Sequence, residues 1–307
     1  MPVVTVIIPT YKSHGLLQRA VAQVLAQTMT DLECIIVSDG SDEDFDWISQ
    51  ISDRRIRLVH TPNRGVSAAR NLGASLSHGQ MLAFLDQDDE WLPEKLELQV
   101  RRLNQLPGAA FAYTAFEWAW DGRRLAKTYD EAVDYRNLLS HNMVALSSCM
   151  VRATHFHAVG GFDPLYRQVQ DFDLFLKLAR LFDPPALVPE VLTRINIHDS
   201  NASKDYFLGF EERRAVVAAH RRLAVAEGDS RTIAACRQSR STSRRIYGAQ
   251  ALDDLRMTAD RNAFQVASTF QKLVRINPRL AVTAPFGLIR RVRQRIGLTA
   301  QDQGGDQ

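Results

Sequence analysis

The chain opens with alternating blocks of two hydrophobic periods. Val3 to Ile8 is a β-branched run of strand length, and Leu16, Leu17, Ala20, Val21, Val24 and Leu25 then recur at helical spacing. Cys34-Ile35-Ile36-Val37 and Ile56-Arg57-Leu58-Val59 read as further strands, Val66 to Leu76 as a helix of small residues, and Met81 to Leu85 as a fourth strand. Strands alternating with helical stretches at this spacing predict βαβ units, a mostly parallel sheet and right-handed crossovers. Ligand sites of such sheets lie beyond the carboxyl ends of the strands. Here those ends carry Pro9-Thr10-Tyr11, Ser38-Asp39-Gly40-Ser41-Asp42 as a loop outside the core, and Asp86-Gln87-Asp88-Asp89.

Further along, Phe111-Ala112-Tyr113 reads as a strand, and Trp118-Ala119-Trp120-Asp121-Gly122-Arg123 carries the Asp-Gly signature of a hairpin. Trp118 and Trp120 share a strand face, where packing against the sheet is the first expectation. Gln170 to Leu178 begins an amphipathic helix with Phe172, Phe175 and Leu176 on its apolar face, and Leu187 to Ile197 is again strand-like. Beyond about residue 205 the strand signals give way to helical stretches at 206–227, 230–254 and 258–274, followed by a polar, disordered tail at 298–307.

Of the 307 residues, 45% are hydrophobic and 24% charged, an ordinary globular composition. The formal charge of +3 hides an asymmetry: residues 1–210 hold 20 Lys/Arg against 26 Asp/Glu, and residues 211–297 hold 18 against 7. Cys34, Cys149 and Cys236 are far apart and form no CxxC pair, which points to neither a disulfide framework nor a zinc site, and suits a reducing compartment. Met1-Pro2 leads straight into the first strand without signal-peptide features, and no window approaches the roughly 18 apolar residues of a spanning helix. The GxGxxG of dinucleotide enzymes and the GxxxxGK[ST] of P-loop enzymes are both absent, so a nucleotide held here is gripped differently. Three carboxylates within four residues suit Mg²⁺ or Mn²⁺ rather than zinc; the alternative is a solvated acidic turn.

Four motifs in register, Val6-Ile7-Ile8-Pro9-Thr10-Tyr11, Ser38-Asp39-Gly40-Ser41-Asp42, Asn63 to Gly73, and Phe84 to Asp89, resemble those of the family 2 inverting glycosyltransferases over roughly residues 3–200. The resemblance implies a GT-A (nucleotide-diphospho-sugar transferase) fold over 1–204, with a nucleotide-sugar-binding half at 1–100, an acceptor-side half at 101–204, and a basic helical extension at 205–297. It implies that Pro9, Tyr11, Asp39, Arg70 and Asp86 line the donor nucleotide, a UDP-sugar foremost, with Asp39 on the base. It places Mn²⁺ or Mg²⁺ on Asp88 and His198, with Asp89 a further candidate, and makes Asp171 the catalytic base. Trp118, Trp120, Gly161 and Gln170 then fall on the side of a saccharide or lipid-linked saccharide acceptor. Gln170 departs from the commoner Glu of that motif. A surface position for Arg70 and helix capping for Asp171 are the structural alternatives.

The same resemblance implies sugar transfer in cell-surface polysaccharide or glycolipid synthesis, in the cytoplasm or peripherally on the inner membrane face. The basic segment Arg290 to Arg295 is the expected contact with an anionic membrane, and no nucleic-acid motif accompanies it. Two rivals use the same residues: a catalytically inactive nucleotide-sugar-binding scaffold, and a metal-dependent sugar-phosphate or nucleotidyl transferase.

Overall fold

The computed structural model describes residues 1–13, 15–141, 144–197, 205–258 and 263–283. The chain divides into two compact units, 1–201 and 202–307. Unit one holds strands β1 (Val4–Thr10), β2 (Leu32–Asp39), β3 (Ile56–Thr61), β4 (Met81–Phe84), β5 (Glu90–Trp91), β6 (Phe111–Trp120), β7 (Arg123–Lys127), β8 (Cys149–Arg152) and β9 (Ala186–Asn196). Its helices are α1 (Leu16–Leu25), α2 (Asp46–Ser49), α3 (Val66–Ser75), α4 (Lys95–Gln105), α5 (Tyr135–Ser140), α6 (Ala153–Ala158) and α7 (Gln170–Leu181).

The sheet runs β3-β2-β1-β4-β8-β6-β9-β5, with β7 paired to β6. Its first four strands are parallel, as the βαβ pattern predicts, whereas β8 is antiparallel to both β4 and β6. Strand alternation sorts the core. Val4, Val6, Ile8, Cys34 and Ile36 face Leu17, Val21 and Val24 of α1, and Ile35 and Val37 meet Ala69 of α3 on the other face. Each such aliphatic side chain taken from water is worth roughly 1.5–3 kcal/mol, which anchors the two helices and with them the loops at the strand exits.

The ends of β1 and β2 differ from the sequence reading. β2 continues through Ser38 and Asp39, which are 1% and 5% exposed, so these residues close the strand rather than form a loop outside the core. β1 likewise runs through Pro9 to Thr10. Proline fits there because β4 pairs with β1 only as far as Ile7↔Phe84, so the missing N–H breaks no ladder on that side. The Asp-Gly hairpin forms as expected: Asp121 and Gly122 take φ of 46° and 74° between Trp120 and Arg123, the left-handed pair that a two-residue turn requires.

β5 is only two residues long, yet it carries the chain from the acidic turn to the far edge, pairing Glu90↔Arg194 and Trp91↔Thr193. That crossing brings the end of β9 back beside the acids. Arg194 seals it with ion pairs to Glu90 and Glu117.

Unit two contains α8 (Tyr206–Ala226), α9 (Ser230–Thr258), α10 (Ala263–Ile276) and α11 (Pro278–Thr283) around Phe210, Ala251, Leu255, Val266, Leu273 and Ile276. Asp205 caps α8 by accepting the Leu208 N–H at 3.0 Å. Buried Arg213 donates to Ser243 and Ser239 across the α8–α9 seam. No described helix is long and apolar enough to cross a membrane.

Candidate active site

The acidic turn is pinned from several directions. An Asp89 N–H to Asp86 carbonyl bond of 3.0 Å closes it. Arg70 reaches from α3 and donates Nη2 to Asp86 Oδ1. Arg70 is 3% exposed, with its guanidinium 5.5 Å from the Phe162 ring, so the alternative of a surface helix residue fails. Its Nε and Nη1 are enclosed and have no hydrogen-bond partner among the described residues. Buried charged donors left open are costly, and an acceptor such as a phosphate oxygen would satisfy them.

Gln87, which the sequence reading passed over, ties the β1 exit to the β4 exit: its Oε1 accepts from Thr10 Oγ1 at 2.7 Å and from the Tyr11 N–H at 3.3 Å. Tyr11 remains exposed beside it, while Pro9 is buried in β1.

Asp89 turns inward. At 5% exposure, it accepts from Ser147 Oγ at 2.5 Å and from the Asn196 N–H at 3.2 Å. Burial, with the charges of Asp86 and Asp88 nearby, holds its carboxyl well above the usual carboxylate range. With both oxygens engaged inside the protein, Asp89 anchors the turn. Asp88 is half-buried, and its carbonyl accepts from Asn196 Nδ2 at 2.7 Å.

Asp39 accepts the backbone N–H groups of Arg64 and Gly65 at 2.8 and 2.9 Å, joining the β2 exit to the start of α3. Gly40 is needed there twice over: its φ is +72°, and a Cβ would meet Asn63 N at 2.5 Å. Glu43 adds a second tie by accepting from the Ser13 N–H at 2.8 Å. The exits of β1, β2 and β4 therefore converge on one crevice.

Asp171 occupies the second position of α7 and is half-buried. The N-cap is Val169 with no side-chain cap, and Asp171 Oδ1 accepts the Phe172 N–H, one of the free donors of the first turn, at 2.7 Å. α7 docks on the sheet through Phe175, stacked on Phe111 at 5.2 Å. The buried Cys149 thiol is pushed up first by burial and also by the charge of Asp171. Cys149 opens β8, which pairs antiparallel with β4, so Asp171 and the acidic turn lie toward the same end of the sheet. Gln170 has its Oε1 enclosed without a hydrogen-bond partner among the described residues.

Trp118 is half-buried and meets Phe116 edge-on at 5.0 Å, which favours packing over an open platform; Trp120, also half-buried, pairs with Arg123. Gly161 turns the chain at φ +68°, with Asn71 bridging the N–H and C=O of Phe162. Its duty is to seat Phe162 against Phe84 and Arg70. His198 lies outside the described residues. Among those described, no group of three or more His, Cys, Asp or Glu forms a metal cage. Magnesium-like ions need none where one or two carboxylates act together with substrate phosphates, and half-buried Asp88 fits that donor set.

A parallel half-sheet whose exits gather buried acids and an unsatisfied arginine, extended by a mixed half carrying α7, is the GT-A transferase architecture. A profile described as Glycosyl transferase family 2 matches residues 5–159, and the chain belongs to that family. A chondroitin synthase of Pasteurella multocida is 31% identical over 185 residues, 59% of this chain and 19% of the synthase. The match spans between about a fifth and about a third of the first curated relatives. Among solved structures, S. aureus TarS in complex with UDP-GlcNAc superposes with a TM-score of 0.62 at 14% identity, over 97% of this chain and 80% of that one. The mannosyltransferase PcManGT from Pyrobaculum calidifontis, in complex with GDP-Man and Mn²⁺, gives 0.60 at 15% identity over the same shares. At such identities the likeness is one of fold.

Proposed function

We propose that this glycosyltransferase moves a sugar from a nucleoside-diphosphate donor, UDP-linked foremost, to a hydroxyl of a saccharide or lipid-linked saccharide, with inversion at the anomeric carbon. The observation that carries the reading is Arg70, buried beside the strand exits, paired to Asp86 and left with two enclosed donors that no described residue satisfies. Diphosphate oxygens would complete it. Asp39 then lies toward the base, Asp86 toward the ribose, and Asp88 beside the phosphates with His198. Mn²⁺ or Mg²⁺ held by Asp88 and the phosphates would supply positive charge where the leaving group becomes anionic. PcManGT with GDP-Man and Mn²⁺ supports that assignment.

Asp171 accepts the proton of the acceptor hydroxyl as its oxygen attacks the anomeric carbon. The bond from that carbon to the diphosphate oxygen breaks, and its electron pair leaves with the nucleoside diphosphate. One displacement inverts the centre, and a base so placed contributes about 10²–10⁴-fold. Incubation with UDP-sugars, a saccharide acceptor and Mn²⁺ tests the reading. Nucleoside diphosphate and a product of inverted configuration are expected; release of nucleoside monophosphate, or retained configuration, would overturn it.

The extension is proposed to rest on an anionic membrane at the cytoplasmic face, in the service of polysaccharide or glycolipid synthesis. Between Ser230 and Leu252, α9 carries Arg231, Arg237, Arg240, Arg244 and Arg245, all exposed, and no acid. Each arginine near such a surface is worth about 1 kcal/mol, and Arg290 to Arg295 would add to the total. Cosedimentation with anionic but not neutral vesicles checks this.

A further inference from the structure

The 3₁₀ turn Leu146–Ser148, just before β8, shows no signal in the sequence, yet it stands at the centre of the acidic turn's supports. Ser147 is 1% exposed. Its hydroxyl donates to Asp89 Oδ2 at 2.5 Å and accepts the Asp86 N–H at 3.2 Å. Its carbonyl accepts the Trp91 indole N–H at 2.7 Å. The neighbouring Ser148 carbonyl accepts from Gln99 Nε2 at 2.9 Å; Gln99 also accepts from Lys95 Nζ at 2.7 Å, and that ammonium lies 4.0 Å over the Trp91 ring. Trp91, Lys95 and Gln99 are all buried, and they belong to the ten residues that come after the acids. The chain thus leaves the acidic turn, passes behind it and grips the segment that holds it.

We propose that Ser147 is a positioning residue of the donor site, whose single hydroxyl locks both ends of the Asp86–Asp89 turn and thereby fixes where Asp88 presents its carboxylate. The geometry dictates the residue type: Asp89 Oδ2 accepts here, the Asp86 N–H only donates, and a buried group bridging the two must do both. Gln87 is held by Thr10 and Tyr11, Asp86 by Arg70, and Asp89 by Asn196. Asp88 is therefore carried by neighbours that are all anchored from within. Alanine at 147 would leave one donor and one acceptor buried and unmatched, and the turn free to relax.

The inference rests on the reading of Asp88 as the carboxylate beside the metal-bound diphosphate. The test is calorimetric binding of UDP and, in parallel, GDP to the full chain, with and without Mn²⁺, together with melting temperatures, for wild type, Ser147→Ala and Ser147→Cys. Cysteine keeps the packing and offers only a weak hydrogen bond, so it covers the case in which alanine unfolds the protein. In both variants the Mn²⁺-dependent gain in nucleotide affinity should fall by about 10–100-fold, the usual cost of losing a residue that orients a metal-side group, with metal-free affinity nearly unchanged. A lowered melting temperature with the Mn²⁺ gain intact would reduce Ser147 to a structural role and overturn the proposal. Failure of wild type to bind either nucleotide would instead overturn the donor-site reading, and the positioning role with it.

Discussion

Asp86→Ala and Arg70→Met remove the two halves of one ion pair, and the structure makes their costs unequal. Arg70 is 3% exposed with two donors already open, whereas the Asp86 side chain is 35% exposed. Removing Asp86 strands a buried guanidinium with no counter-charge, for which about 3–5 kcal/mol is expected. The exposure of Asp86 lets water approach and favours the lower end, about 3 kcal/mol. Arg70→Met removes the buried charge along with its cost, fills a similar volume, and leaves Asp86 free to be hydrated, so about 1 kcal/mol or less is lost. The double variant Arg70→Met/Asp86→Ala should return to within about 1 kcal/mol of wild type, a coupling that a double-mutant cycle isolates. With about 2–4 °C per kcal/mol for a domain near 200 residues, Asp86→Ala should melt about 6–12 °C low and Arg70→Met within about 4 °C of wild type. Urea titration followed by tryptophan fluorescence gives the free energies. All three variants should lose nucleotide affinity. Equal losses of stability in the two single variants, or additive losses in the double, would refute the argument that the buried guanidinium depends on Asp86.

Asp171→Asn should leave nucleotide affinity and melting temperature close to wild type, because asparagine keeps a side-chain oxygen for the Phe172 N–H, while transfer falls by about 10² or more; near-normal transfer would remove it as the base. Asp39→Ala should weaken nucleotide binding and also cost about 1–3 kcal/mol, since it strands two backbone N–H groups at the start of α3; an unchanged melting temperature would refute that clamp. Lys95 is fully buried, and burial lowers its pKa from 10.5 to about 7. Below pH 7 it is charged in both folded and unfolded chains, and the folded state bears the full cost of burying that charge. Between pH 7 and 10.5 unfolding takes up a proton, so stability rises with pH across this window. Lys95→Met should therefore stabilise most near pH 6, by no more than about 4–5 kcal/mol, with the gain shrinking toward pH 10; a pH-independent difference in urea midpoints would refute the assignment.

Much of the architecture was legible because its causes are local. β-branched runs broken by helical spacing specify β1 to β4 with α1 and α3, the Asp-Gly pair specifies the β6–β7 hairpin, and Gln170 starts a helix where the apolar face begins. Family membership was legible for a related reason, since the four motifs sit at strand exits whose spacing the chain itself sets.

The partner of each polar group is not carried by the sequence. Arg70 looks like one more helix arginine until β4 and Phe162 close over it. Asp88 and Asp89 are adjacent and chemically identical, yet they part ways because β5 draws Asn196 behind one of them and β8 brings Ser147 against it. β5, of two residues, is too short for any periodicity to announce, and β8 is defined by its antiparallel pairing with β4 and β6. Ser147 meets Asp89 across a separation of 58 residues, and Asn196 meets it across 107. Burial, ion pairing and the direction an acid faces belong to the packed sheet rather than to local pattern. Hydrophobic periodicity therefore determined the strands and helices by itself, and only tertiary closure decided which carboxylate stays half-buried and which one is enclosed as the turn's anchor.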